Sequence, residues 1–240
     1  MHLYEVIDFR PKPSRYDHAD YVHKIQTKAG AKQIGSDDNT FGKAYKIDSP
    51  KRLNQITKAA RVGSFQKEPK DITGPDDDGY LSYLKKVQKL EKEGYHNPYF
   101  PRIHDLKVWQ SGGEFHYRVN MEKLLPFDTE KLMGNKGLIE SIWERMFTIS
   151  IQDAIERWPY LENNPSNKSP GKRIERMFRQ AFGNGETSLI KDPELKDALN
   201  VINKMADSSG NHFNHDLHDG NFMWRMTGTM PQLVILDPLS

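Results

Sequence analysis

Between Asn214 and Trp224 the sequence runs NHDLHDGNFMW, which crowds His215, Asp216, His218, Asp219 and Asn221 together, and Asp237 follows at the end of the apolar run LVIL. Such a set supports two chemistries. Neutral imidazoles and carboxylates bind zinc, manganese or iron, and His212, His215, Asp216, His218 and Asp219 would supply the ligands of a metal-dependent hydrolase. Phosphoryl transfer instead needs a carboxylate to position the attacking hydroxyl and accept its proton, with oxygen ligands for magnesium. Asp216 suits the first of these roles; Asn221 and Asp237 suit the second. The plain alternative is a polar, hydrogen-bonded loop with no chemistry of its own.

Two further stretches carry residues of interest. In GSDDNTFGKAY, Gly35 and Gly42 flank a polar run between two strand-like segments, and such a loop can present backbone N–H groups to phosphates. A three-glycine phosphate loop is absent; Asn39, which tolerates positive φ, stands where the middle glycine would be. An ordinary hairpin turn accounts for this stretch as well. In ITKAARV, Ile56 and Lys58 point to one face of a strand. An ammonium on an inward face must be paired. Glu91 and Glu93 lie on the next helix, and Glu91 continues its Tyr80, Leu84, Val87 stripe, so Glu91 is the expected counter-charge. A surface lysine is the competing reading.

The elements that must position these groups follow from periodicity and turn chemistry. Residues 31–35, 43–47 and 56–62 read as strands, separated by SDDNTF and DSPKRLNQ. Residues 77–93 read as a helix, with Leu81 and Leu90 widening its apolar stripe and Gly94 as its stop. RIHDLKVW and EFHYRVNMEKL read as strands joined at QSGG. Residues 137–157, 171–182 and 192–206 read as helices, the last opened by Asp192-Pro193. FMWRM, TGTMPQ and LVILD read as a hairpin. Strands first and helices later predict an α+β fold with two lobes.

Taken in order, these pieces resemble the protein-kinase-like superfamily. The Phe41-Gly42 turn, Lys58, the helix carrying Glu91, the stretch VNMEKLLPF, the loop HDLHDGN and the run ILDP keep that order and approximate spacing from about residue 30 onward. DLHDGN is similar to the catalytic loop of aminoglycoside phosphotransferases and to that of the early serine/threonine protein kinases of certain bacteriophages; ILDP and FGKAY resemble the phage kinases more. The resemblance implies a small antiparallel-sheet N-lobe over residues 1–121, with five strands and one helix, and a short, mostly helical C-lobe over 122–240. It implies ATP and Mg2+ as cofactors, with Asp216 as catalytic base, Lys58 on the α/β-phosphates in partnership with Glu91, and Asn221 and Asp237 on magnesium. Gly35, Asn39, Phe41 and Gly42 would cover the nucleotide. Glu122 to Leu124 would meet the adenine through backbone groups, with Met121 behind. Host transcription or RNA-processing proteins are the substrates it suggests.

The sequence departs from that pattern in places. Asn214-His215 stands where kinases carry His-Arg, and His218 stands where serine/threonine kinases commonly carry Lys. Only three residues follow Asp237, so an activation segment would be missing from a minimal enzyme or absent from a fragment. Two rivals keep the fold: a small-molecule kinase of the aminoglycoside type, and a non-catalytic kinase-like binder or inhibitor. Against the first, the helical part holds the basic run Lys168, Lys172, Arg173, Arg176 and Arg179, where a polycationic substrate would want acids.

Composition sets the outer bounds. The chain has 240 residues, 36% of them hydrophobic, and a mean hydropathy of -0.80. Its 11 Phe, 10 Tyr and 4 Trp still supply the bulk of a core. Cysteine is absent, which removes disulfides and thiolate chemistry and fits a reducing compartment. A net charge of +2 predicts no direct nucleic-acid binding. With no signal-like N-terminus and no apolar run of about 20 residues, the expectation is a soluble, cytoplasmic protein without membrane contact.

Overall fold

The computed structural model describes residues 32–39, 42–48, 55–62, 74–111, 113–127, 135–157, 187–208, 213–216, 221–227 and 230–239. They fall into two compact units. Unit 1 holds the described residues of 1–94 and 102–123, and unit 2 holds 95–101 with those of 124–239. Helices and antiparallel sheets make this an α+β fold, as the order of elements predicts.

In unit 1, β1 (Lys32–Asn39), β2 (Gly42–Asp48), β3 (Gln55–Arg61), β4 (Ile103–Ser111) and β5 (Glu114–Glu122) form an antiparallel sheet of order β1-β2-β3-β5-β4. The polar run SDDNTF is less of a loop than its composition suggests. The β1–β2 ladder continues through Asp37↔Ala44 to Asn39↔Gly42, after a register break between Gln33 and Gly35. Pairing along the ladder outweighs the turn preference of Ser, Asp and Asn, because strand propensity depends on context more than on residue type. The β4–β5 hairpin closes where Ser111 pairs with Glu114. Gly113 there has φ 85°, a conformation that suits glycine best.

The helix α1 (Gly79–Lys92) starts where the Asp78 side chain accepts from the Leu81 N–H at 2.8 Å and stops before Gly94 at φ 84°. Tyr80, Leu81, Tyr83, Leu84 and Val87 are buried; each large apolar side chain contributes roughly 2 kcal/mol by leaving water. Tyr80 meets Tyr117 edge-on at 6.0 Å, which sets α1 on the face of β5 that carries Tyr117, Val119 and Met121. The opposite face of β5 is buried too, and its polar side chains are paired, apart from Arg118 Nε. Arg118, 1% exposed, pairs with Asp105. Asn120 donates to Gln55 at 2.9 Å, and the Glu122 carboxylate accepts the Arg102 N–H at 2.8 Å.

In unit 2, β6 (Leu125–Pro126), β7 (Phe222–Thr227) and β8 (Met230–Ile235) form a sheet of that order. The β7–β8 turn is tighter than the run TGTMPQ suggests, since Thr227 already pairs with Met230. Pro231 sits in β8, the edge strand, where a missing donor is tolerated. The stretch 137–157 is two helices instead of the one its periodicity predicts: α2 (Lys136–Met146) and α3 (Ile151–Arg157). The break has a long-range cause. Phe147 bridges to Ile190, and the Thr148 N–H and hydroxyl both donate to the Leu189 carbonyl, at 2.8 and 3.1 Å. Ser150 and Asp153 then cap α3 reciprocally. The helix α4 (Pro193–Ser208) begins as expected, with the Asp192 carboxylate accepting from Glu194 and Leu195. The expected helix 171–182 and the basic run 168–179 lie outside the described residues.

Residues 95–101, between α1 and β4 in sequence, are bound into unit 2. The Arg225 guanidinium donates to the Pro98 and Phe100 carbonyls, each at 2.8 Å. The Ile235 N–H donates to the Tyr99 carbonyl at 2.8 Å, and Asn97 donates to the Glu194 carbonyl at 2.7 Å. No helix among the described residues is long and apolar enough to cross a membrane.

Tyr99 yields a pH prediction. Its ring is fully buried and its hydroxyl donates to Asp192 at 2.6 Å. Burial, reinforced by that carboxylate, holds the hydroxyl protonated well above its ordinary value of 10.0. The unfolded chain ionises near that ordinary value and the folded one does not. The stabilisation is therefore complete below pH 10 and lost above it, at about 1.4 kcal/mol per pH unit. Urea unfolding between pH 8 and 11 should show that fall for the natural chain and a shallower one for Tyr99→Phe; equal slopes would contradict the assignment.

Candidate functional site

Unit 2 gathers three of the residues the sequence singled out. The segment around Asp216 belongs to no helix or ladder, so its peptide groups need other partners. His215 bridges to Leu239, and the Asp216 N–H donates to the Pro238 carbonyl at 2.8 Å. Asp237 is therefore next to the residue that anchors Asp216. Asn221, 6% exposed, completes the tie: its Nδ2 donates to the Asp216 carbonyl at 2.6 Å, and its own carbonyl accepts the Leu236 N–H at 2.8 Å. Asp216, Asn221 and Asp237 thus converge at the end of the β7–β8 hairpin. The bond through Nδ2 fixes the amide, so Oδ1 faces away from the Asp216 carbonyl. Asn221 Oδ1 and the Asp237 carboxylate are hard oxygen donors, which fits magnesium better than a softer metal.

The hydrolase set does not gain the same support. His212, His218 and Asp219 lie outside the described residues, and among the described residues no group of three or more His, Cys, Asp or Glu could hold a metal ion.

Unit 1 carries the cationic residue. On β3, Lys58 pairs with Lys46 of β2 and with Val119 of β5. Its ammonium lies 4.1 Å from the centroid of the Tyr80 ring. Lys58 thus meets the start of α1, whereas Glu91, its expected partner, stands at the other end. Tyr80 is in the first turn of α1 and Glu91 in its last, about 16 Å further along the axis at 1.5 Å per residue. β3 brings Lys58 to the start of the helix. A cation over an aromatic face is worth about 0.5 to 2 kcal/mol, more as water is excluded. The sequence of α1 has no acidic residue from Gly79 to Leu90, and tyrosine is the residue of its first turn that can hold a cation.

The remaining candidates are placed as follows. Gly35 and Asn39 are in β1 and Gly42 is in β2, with Asn39 directly opposite Gly42; Phe41 lies outside the described residues. Met121, 1% exposed, pairs with Ile56 and Ile103 at the end of β5. The Glu122 N–H is committed to the Arg102 carbonyl at 3.1 Å. Leu124 is buried within unit 2. Just beyond it, Phe127 stacks on Trp224 at 5.3 Å and accepts its indole N–H at 3.0 Å.

No protein-family model matches the sequence, and no curated protein does. Among solved structures the chain is similar to a MAP kinase from Leishmania major at 8% identity, covering 92% of this chain and 50% of that one with a TM-score of 0.37. It is also similar to a microcompartment-associated aminopropanol kinase at 12% identity, covering 90% of this chain and 68% of that one with a TM-score of 0.31. The chain spans half the length of the MAP kinase it matches.

The tie through Asn221 is testable without any assay of activity. Asn221→Leu removes the donor to a partly buried carbonyl, which should cost about 1 kcal/mol of unfolding free energy. It should also accelerate hydrogen exchange at the Asp216 amide. Native exchange at that amide in the variant would show that Asn221 does not hold the segment.

Proposed function

We propose that the chain is an ATP-dependent phosphotransferase of the two-lobed kinase-like type and, within that class, a serine/threonine protein kinase resembling those that bacteriophages make early in infection. The observation that supports this best is the convergence of Asp216, Asn221 and Asp237 through main-chain bonds at one end of the β7–β8 hairpin. The strand–helix–strand order of unit 1, with a lysine on β3 facing the helix, supports it further.

In this reading Asp216 orients the acceptor hydroxyl and takes its proton as the oxygen bonds to the γ-phosphorus. The bond from that phosphorus to the β-phosphate oxygen breaks, and ADP leaves. Lys58 holds the α/β-phosphates, while Asn221 and Asp237 hold magnesium. When bound, magnesium supplies neutralisation of the charge on the β- and γ-phosphates. The adenine lies at residues 122–124; because the Glu122 N–H is engaged, the Leu124 amide is the donor proposed for it. Most of the rate then comes from positioning and charge stabilisation, since the protein forms no covalent intermediate. Host proteins of transcription or RNA processing, met in the host cytoplasm, are the proposed substrates.

The test is incubation with γ-labelled ATP and magnesium, with and without bacterial lysate. The natural chain should label itself or lysate proteins. Asp216→Asn should lower transfer by about 10²- to 10⁴-fold while still binding nucleotide, and Asp237→Ala should weaken magnesium-nucleotide binding as well. Unchanged turnover in either variant would overturn the residue assignment. Transfer to an aminoglycoside with no protein labelled would move the acceptor to the small-molecule class.

A further inference from the structure

We infer that Tyr80 is the positioning residue for Lys58, so that an aromatic face does the work expected of a carboxylate. The inference rests on the phosphotransferase reading, since it concerns the lysine assigned there to the phosphates. The Lys58 ammonium lies 4.1 Å from the Tyr80 ring centroid. That ring is 6% exposed and is fixed by Tyr117, edge-on at 6.0 Å and 62°. Beneath Lys58, its β5 neighbour Val119 is fully buried. The lysine thus leaves a rigid strand and ends on a rigid ring.

Among the described residues, the start of α1 offers Lys58 no acidic side chain of its own. The α1 sequence carries none from Gly79 to Leu90. Of the acids just ahead of the helix, Asp77 accepts the Gly74 N–H and Asp78 accepts the Leu81 N–H. The chemical consequence differs from that of an ion pair. A carboxylate cancels the lysine charge, and a phosphate must then compete with it. A ring attracts the cation through its quadrupole and leaves the net charge whole. It covers one side of an ammonium whose N–H donors can still turn to an anion.

Binding of a fluorescent ATP analogue measures the effect directly. Tyr80→Leu should weaken binding about tenfold, and Tyr80→Phe, which keeps the ring, should restore it. Replacing Tyr80 with pentafluorophenylalanine keeps the ring's shape and reverses its quadrupole; it should weaken binding as Tyr80→Leu does, even if the leucine variant folds poorly. In a Lys58→Met background these Tyr80 changes should have no further effect, which a merely structural tyrosine would not produce. Equal affinity of the natural and pentafluorinated chains, or an undiminished loss in the Lys58→Met background, would overturn the inference alone. A natural chain that binds no analogue would overturn the phosphotransferase reading and the inference with it.

Discussion

The site in unit 2 depends on one requirement: an irregular, partly buried segment must find partners for its peptide groups. Residues 214–216 have no helix to supply them, and a buried donor or acceptor without a partner costs about 1 to 3 kcal/mol. Pro238 accepts the Asp216 N–H and Asn221 donates to the Asp216 carbonyl. The second bond needs a side-chain donor, and the amide of Asn221 supplies one while carrying an oxygen on the same group. Leucine would lack both, and an ionised aspartate would lack the donor. The loop thus favours an amide at 221, whose Nδ2 is engaged and whose Oδ1 is left out of that bond.

Unit 1 meets a comparable constraint by other means. β5 is buried on both faces over Tyr117–Glu122. One face is apolar and receives α1; the other pairs Arg118 with Asp105 and Asn120 with Gln55. A half-buried lysine on neighbouring β3 has to be accommodated on the apolar side. A charged group there needs either a counter-ion or a polarisable surface, and the sequence of α1 offers the latter. The choice follows from where β3 meets the helix, at its first turn.

What was legible in the sequence was whatever local pattern determines. The apolar stripe of α1, the Asp192-Pro193 start of α4 and the glycine turn between β4 and β5 carry their causes within a few residues. What was illegible depends on distant partners. Nothing near Phe147 reveals that Leu189 and Lys191 will bond Thr148 and Met146 on either side of it and split a helix. Nothing in SDDN reveals that β2 will hold it in a ladder as far as Asn39. The convergence of Asp216, Asn221 and Asp237 followed from residue types and a hairpin between them, which is local enough to read. The contact of Lys58 with Tyr80 was not legible, because helix periodicity says which residues share a face but not which turn a neighbouring strand will cross. The membership of residues 95–101 in unit 2 was beyond reach for the same reason, since Arg225, Ile235 and Glu194 are all remote in sequence.

The two kinds of anchoring have different consequences for function. The bonds that tie Asp216 into its loop use its N–H and its carbonyl, so those bonds survive a change of the carboxylate to an amide. Chemistry and architecture are separable at that position. At Lys58 they are not. The ammonium is held by its own contact with Tyr80, so the group that would bind phosphate is also the group that fixes its own place. Asn221 lies between these cases: one end of its amide is structural, and the other is the one proposed for the metal. Under the proposed function, a substitution at Asp216 therefore tests chemistry most directly, and substitutions at Asn221 and Lys58 require a separate measure of local structure.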